Sequence, residues 1–358
     1  MNRSSENGRW NATVNYEVAY LESFFARVAK TLALCVVLVV SLVGNILIIV
    51  SVSKNTNGRM RTVSNLLIAN TSVAYLLITT VNIPGKIAEI NTVGFPIGGT
   101  LGDLVCALRN SVPFLTVSSS TQSFVILAID RFVAVYFPLR RISHQSAYIL
   151  IGITWLTTLI FGGVYAYGSF VHETDDIRLC MIHVSRTFGD LRGLVAYVWV
   201  EFTVFSIVPI VLAVSLYTAT ILKLWRRTTP GRYGLPTPTS YSEKANRSAV
   251  KMLTIVLVTF AVPRIPYWVF VIECRGTYEH FLGHSFCSSE TFHYVDTFLG
   301  YSSCALVPYI YPFYSQNFRA GFKDILRSRC QGRIENGRVS PLRARKTSRR
   351  ESKQITKL

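Results

Sequence analysis

Seven apolar stretches, near residues 28–53, 63–86, 104–137, 147–170, 194–224, 248–272 and 293–314, each reach the length of about 20 residues that a helix needs to cross a bilayer. Lipid offers no partner for backbone N–H and C=O groups, so segments of this kind span as helices that satisfy themselves. Composition agrees: 50% of residues are hydrophobic and 16% charged, where soluble domains carry about a quarter charged. The pattern predicts an all-α membrane protein, a seven-transmembrane helix bundle spanning 28–314.

A net charge of +18 would suggest nucleic acid if it were spread over one soluble surface. Here it is sorted by topology. Lys54, Arg59, Arg61, Arg140, Arg141, Lys223, Arg226, Arg227 and the basic tail after Arg319 fall on one side of the seven spans. Glu173, Asp175, Asp176, Glu273, Glu279, Glu290 and Asp296 fall toward the other. The positive-inside rule then places the amino terminus outside and the carboxyl terminus in the cytoplasm. The expected address is the plasma membrane, with multiple passes, and no nucleic-acid partner.

Residues 1–27 read as a polar extracellular segment without the apolar core of a signal peptide. Asn2 and Asn11 open glycosylation sequons there, although the cytoplasmic Asn246-Arg247-Ser248 shows that such triplets also arise by chance. After the seventh span, Phe318, Phe322, Ile325 and Leu326 recur at helical spacing on one face while Arg319, Lys323 and Arg327 fall elsewhere. That predicts an amphipathic helix in the membrane interface over 315–330. Cys330 at its end is a candidate for palmitoylation, a free thiol being the alternative. The loop Thr228–Ser240 is turn-rich. The segment 331–358 reads as a disordered basic tail, whose Arg345–Arg350 cluster suits anionic membrane lipids or phosphorylation.

An ion pair, Asp130-Arg131, ends the third apolar run just before Pro138, at a boundary where charge is costly unless it serves a purpose. An Arg that is either held by its neighbour or released makes a two-state element. Other marks recur at ordered positions: Gly44-Asn45, Asn65–Asn70, Pro84, Trp155, Pro209 with Tyr217, Phe260 before Pro266, and Pro308-Tyr309-Ile310-Tyr311-Pro312. In this order the chain resembles the rhodopsin-like G-protein-coupled receptors over residues 28–330, with Phe132 where that family usually has Tyr.

The resemblance implies a disulfide between Cys106 and Cys180, and roles for Asp130, Arg131, Tyr217 and Tyr311 in contacts that change when a heterotrimeric G protein is engaged. Cys274 and Cys287 flank an outer loop and form either a second bridge or two separate thiols. Cys35 and Cys304 read as small packing residues. The departures matter too. Tyr75 replaces a buried Asp, Val307 an Asn, and Pro263-Arg264-Ile265-Pro266 a Cys-Trp-Leu-Pro. Without that carboxylate a sodium site loses its main oxygen ligand even with Ser120 present, so sodium-dependent inhibition is expected to be weak or absent.

Arg264, deep in the sixth span, needs a partner or water. Three readings stand: an ion pair with Glu201 of the fifth span, separate contacts of each with water, or reception of an anionic ligand group by Arg264. Pro113 occupies the position where amine receptors of the family carry an Asp, and the seventh span has no Lys for retinal. A ligand cavity including Pro113, Glu201, Arg264 and Asp296 is therefore expected to take a peptide, basic or amidated, steered by the outer acids, with a small-molecule agonist as the alternative. The competing functions are a decoy or partner receptor that binds without signalling and, more remotely, a transporter, which would show internal repeats or broken helices. No enzyme signature and no cofactor or metal motif is present in the sequence.

Overall fold

A computed structural model describes residues 23–55, 58, 60–92, 94–174, 177–226, 238–272 and 289–335. Asn2, Asn11, Cys274 and Cys287 lie outside the described residues, as does the side chain of Cys330.

Seven helices form the bundle: α1 (Phe24–Lys54), α2 (Val63–Asn91), α3 (Gly99–Tyr136), α4 (His144–Gly168), α5 (Leu191–Arg226), α6 (Pro238–Ala261) and α7 (Glu290–Tyr314). Past Ala261, α6 tightens into a 3-10 turn over Val262–Arg264 and resumes over Ile265–Phe270. Six of these helices are long and apolar enough to cross a membrane. The remaining one, α7, is diluted by Asp296, several Tyr and Ser residues, Pro308 and Pro312. The helices run past the apolar stretches read from the sequence because their ends are built by polar caps. Ser23, Thr62, Ser143, Asp190 and Ser289 each accept a hydrogen bond from a first-turn N–H. The end of α1 turns at Asn55, whose φ of 47° is left-handed. The predicted loop Thr228–Ser240 gives way to helix at Pro238, where a missing N–H is tolerated in the first turn.

Two further elements differ from expectation. The helical bundle stands as expected, and it carries a hairpin that the sequence did not announce between α4 and α5, where β1 (Ser169–Glu173) pairs antiparallel with β2 (Arg178–Ile182). The helix after the bundle, α8 (Gln316–Glu335), is longer than the predicted 315–330 and takes the start of the predicted tail into its last turns. Phe318 and Ile325 are buried on its inner face, and Phe322 packs against the same core. Arg319 donates from Nε to the Pro312 carbonyl at 3.1 Å and from Nη2 to that of Phe313 at 3.0 Å, covering carbonyls that α7 leaves free at its end.

Proline inside a helix frees the carbonyl four residues earlier, and a buried carbonyl requires another donor. Pro308 frees the Cys304 carbonyl, and Asn45 of α1 donates to it at 3.2 Å. Pro113 frees the Arg109 carbonyl, and Asn82 of α2 donates to it at 2.9 Å. Gly44 lets α1 come this close, since a Cβ there would lie 2.9 Å from the Cβ of Pro308. Asn70 ties three helices, accepting from Trp155 at 2.9 Å and donating to Ser123 at 3.0 Å.

One prediction arises here. Asn45→Ala is expected to destabilise the bundle by about 1–3 kcal/mol, the penalty for a stranded buried carbonyl. In a Pro308→Ala background the restored N–H can serve Cys304, so Asn45→Ala should cost markedly less. Thermal unfolding of the four purified proteins in detergent measures the cycle, and equal costs in both backgrounds would refute the link.

Candidate functional site: a cavity and an ion pair on one helix

Near one end of α3, fully buried Cys106 is joined to Cys180 of β2, with a Cα–Cα separation of 5.5 Å. The hairpin is stitched to the same helix by hydrogen bonds: Val171 N–H to Asp103 at 2.7 Å, Gly99 N–H to Glu173 at 3.0 Å, and Asn110 to Ser169 at 2.8 Å. β1 and β2 thus lie across the mouth of the bundle, and Ile182, at the end of β2, enters the wall of a cavity beneath.

This cavity has a volume of about 290 Å³. Pro113, Glu201, Arg264 and Asp296 all line it, so side chains separated by almost the full bundle in sequence meet in one space. The helices create the room by local irregularity. Over Thr203–Ile207, α5 widens into a π-turn, the kind of insertion often found at functional sites. It brings Phe205 edge-on to Phe114, with centroids 5.2 Å apart, and turns Ser206 to the cavity.

The Glu201–Arg264 ion pair is not formed. Glu201 accepts a hydrogen bond from the Tyr165 hydroxyl of α4 instead. The Arg264 guanidinium lies 5.5 Å from the centroid of the Phe260 ring and beside Gly300 of α7. The reason is local: the 3-10 turn at Val262–Arg264 rotates Arg264 toward α7, while Tyr165 reaches Glu201 from α4. A second guanidinium in the wall, Arg109, bonds to Glu89 of α2, which Lys86 also approaches at 3.4 Å. Sequence reading missed this Lys86–Glu89–Arg109 cluster and Asn82. Its one available sign was Lys86 and Glu89 three apart on a helix end; nothing local points from either to Arg109.

At the opposite end of α3, Arg131 bonds through Nε to Asp130 at 3.1 Å and through Nη2 to both Asp130 and Ser64, the latter at 2.6 Å. Ser64 in turn donates to Asp130 at 2.7 Å, closing a three-membered polar cluster with α2. Asp130 is 8% exposed, so this cluster is largely withdrawn from solvent. Phe132 stacks on Tyr136, with centroids 4.3 Å apart. The hydroxyls of Tyr217 and Tyr311 are buried without hydrogen-bond partners. Arg131 is therefore held by Asp130 and Ser64 and is not bonded to either tyrosine. Ser64 is a partner the sequence did not reveal.

Residues 44–311 match the family described as 7 transmembrane receptor (rhodopsin family). Among curated relatives, the chain is 26% identical over 324 residues to the allatostatin-A receptor of Bombyx mori, covering 87% of this chain and 82% of that one. It is 27% identical over 327 residues to the QRFP-like peptide receptor of Branchiostoma floridae, with the same 87% and 82% coverage. To the neuromedin-K receptor of Cavia porcellus it is 28% identical over 313 residues, covering 86% and 67%.

Proposed function

The chain belongs to the rhodopsin family of seven-transmembrane receptors, and on that premise we propose that it binds an extracellular peptide at the disulfide end and activates a heterotrimeric G protein at the Asp130–Arg131 end. The orientation follows from charge: the disulfide end carries the acids and the other end the basic loops and tail, so the amino terminus lies outside. The observation that carries this reading is the sharing of α3. Between Ser118 in the cavity wall and Arg131 runs about 20 Å of one helix at 1.5 Å per residue.

A ligand acts by binding one of two arrangements more tightly than the other. The arrangement described here has Arg131 held by Asp130 and Ser64, with Tyr217 and Tyr311 lacking partners. Release of Arg131 toward those hydroxyls, as α5 and α6 shift around the cavity, supplies the alternative state. The cavity volume, at the low end of ligand pockets of about 300–1,000 Å³, suits the end of a peptide whose remainder lies on the hairpin. Acids at the mouth, Glu173 and Asp103 among them, favour a basic ligand by steering. Peptide also fits the relatives, which are receptors for allatostatin-A, a QRFP-like peptide and neuromedin-K.

The test is a screen of basic synthetic peptides on cells expressing the full chain, read as G-protein activation and, separately, as surface binding. Binding with evoked activation is the expected result. Binding with no activation by any ligand would replace this reading with a non-signalling partner receptor of the same fold.

A further inference from the structure

Among the described residues two guanidiniums line the cavity, and they differ in one respect. Arg109 is bonded to Glu89, whereas Arg264 takes part in none of the ion pairs of the described residues, and its Nε is buried with no hydrogen-bond partner. Guanidinium does not lose its proton in a protein, so burial cannot be relieved by neutralisation. Arg264 is partly buried, its Nε fully so, and a charge in this position gains from an opposite charge that the Phe260 ring face at 5.5 Å replaces only in part. Two carboxylates share this wall, Glu201 and Asp296; Glu201 accepts from Tyr165, and neither forms an ion pair with Arg264.

The space beside Arg264 is also open. A Cβ built on Gly300 would meet nothing within 4 Å except the Arg264 guanidinium, at 3.8 Å. Gly300 and Arg264 both line the cavity, so an edge of the guanidinium borders that space. That edge matches a carboxylate with two parallel hydrogen bonds.

Resting on the receptor reading above and sharpening it, we propose that Arg264 is an anion-binding subsite that receives a carboxylate at the inserted end of the ligand. The ligand is then a peptide with a basic body and an anionic end, which excludes an amidated carboxyl terminus unless an acidic side chain takes its place. Arg264 is a specificity-determining residue in this arrangement.

The experiment uses the purified full chain in detergent and three probes: N-acetyl-Gly-Phe as the free acid, N-acetyl-Gly-Phe as the amide, and N-acetyl-Asp-Phe amide. Dissociation constants are measured by equilibrium titration, without G protein, so a receptor that fails to signal still gives an answer here. The free acid is expected to bind the wild type about tenfold or more tightly than its amide, as a charge-assisted hydrogen bond implies. Arg264→Gln should bring the two to equal affinity. A preference for the Asp-containing amide would assign the carboxylate to a side chain and still support the subsite. Should Arg264→Gln not fold, Gly300→Val keeps the charge while covering it and should abolish the same preference. Equal affinity of acid and amide for the wild type, binding of no probe, or a preference that survives loss or covering of Arg264 would each overturn the proposal. Peptide-evoked signalling with no acid preference would leave the receptor function standing and remove only this subsite.

Discussion

Arg131→Ala is expected to abolish peptide-evoked G-protein activation while leaving delivery to the cell surface largely intact. The side chain is held by Asp130 and Ser64 at the end of α3 and lies outside the apolar core, so little packing is lost. The partner left behind is not stranded, because Ser64 still donates to Asp130. What disappears is the guanidinium that, in the reading proposed above, exchanges this cluster for the unsatisfied hydroxyls of Tyr217 and Tyr311. Asp130→Asn acts the other way. It keeps a short polar side chain beside Ser64 but removes the negative charge that restrains Arg131, so basal signalling should rise. Each 1.4 kcal/mol of lost restraint shifts the equilibrium about tenfold. Ser64→Ala should raise basal signalling too, by less, since the ion pair remains. Basal and evoked G-protein turnover, normalised to surface copies, measures all three. Unchanged turnover in both Arg131→Ala and Asp130→Asn would favour the non-signalling reading.

Much of this was legible in the chain before any coordinates, and the physical reasons divide the readable from the unreadable. Seven spans were visible because lipid enforces an apolar run of fixed length. Their ends were not, because Ser23, Thr62 and Ser289 extend the helices with polar turns that hydropathy treats as loop. The amphipathic face of α8 was readable from spacing, but its continuation to Glu335 was not, since nothing apolar marks it. The β1–β2 hairpin escaped notice because a two-stranded pairing over a bundle mouth has no strong periodicity of its own.

The residues lining the cavity were found as chemical anomalies in lipid, which needs only their depth. Their pairing required side-chain direction. Spacing along α5 and α6 allowed Glu201 to meet Arg264, but a π-turn in α5 and a 3-10 turn in α6 alter the helical phase where the two would face each other. Tyr165, on a different helix, then takes the carboxylate. Similarly, Pro113 and Pro308 were visible as helix irregularities, while Asn82 and Asn45, which serve the carbonyls they free, are distant in sequence and carry no signal of that role.

Cys106→Ala and Cys180→Ala should each lower stability and surface expression, and the double variant should be no worse than either single one. Each removes the same bridge, so the losses cannot add. The bridge closes a loop with a sequence separation of 74, for which chain entropy alone gives about 4 kcal/mol. Not all of the hairpin's hold is lost with it, since the bonds from Asp103, Asn110 and Glu173 remain. Those contacts are solvent-facing or neutral, however, and each contributes about 1 kcal/mol net. Cys180 stands two positions before Ile182, whose side chain forms part of the cavity wall. Loosening β2 should therefore weaken peptide binding more than it weakens G-protein coupling at the far end of α3. Thermal unfolding in detergent, surface labelling and peptide affinity measure the three effects. Additive losses in the double variant, or two thiols open to a maleimide reagent in the folded wild type, would refute the bridge as the common cause.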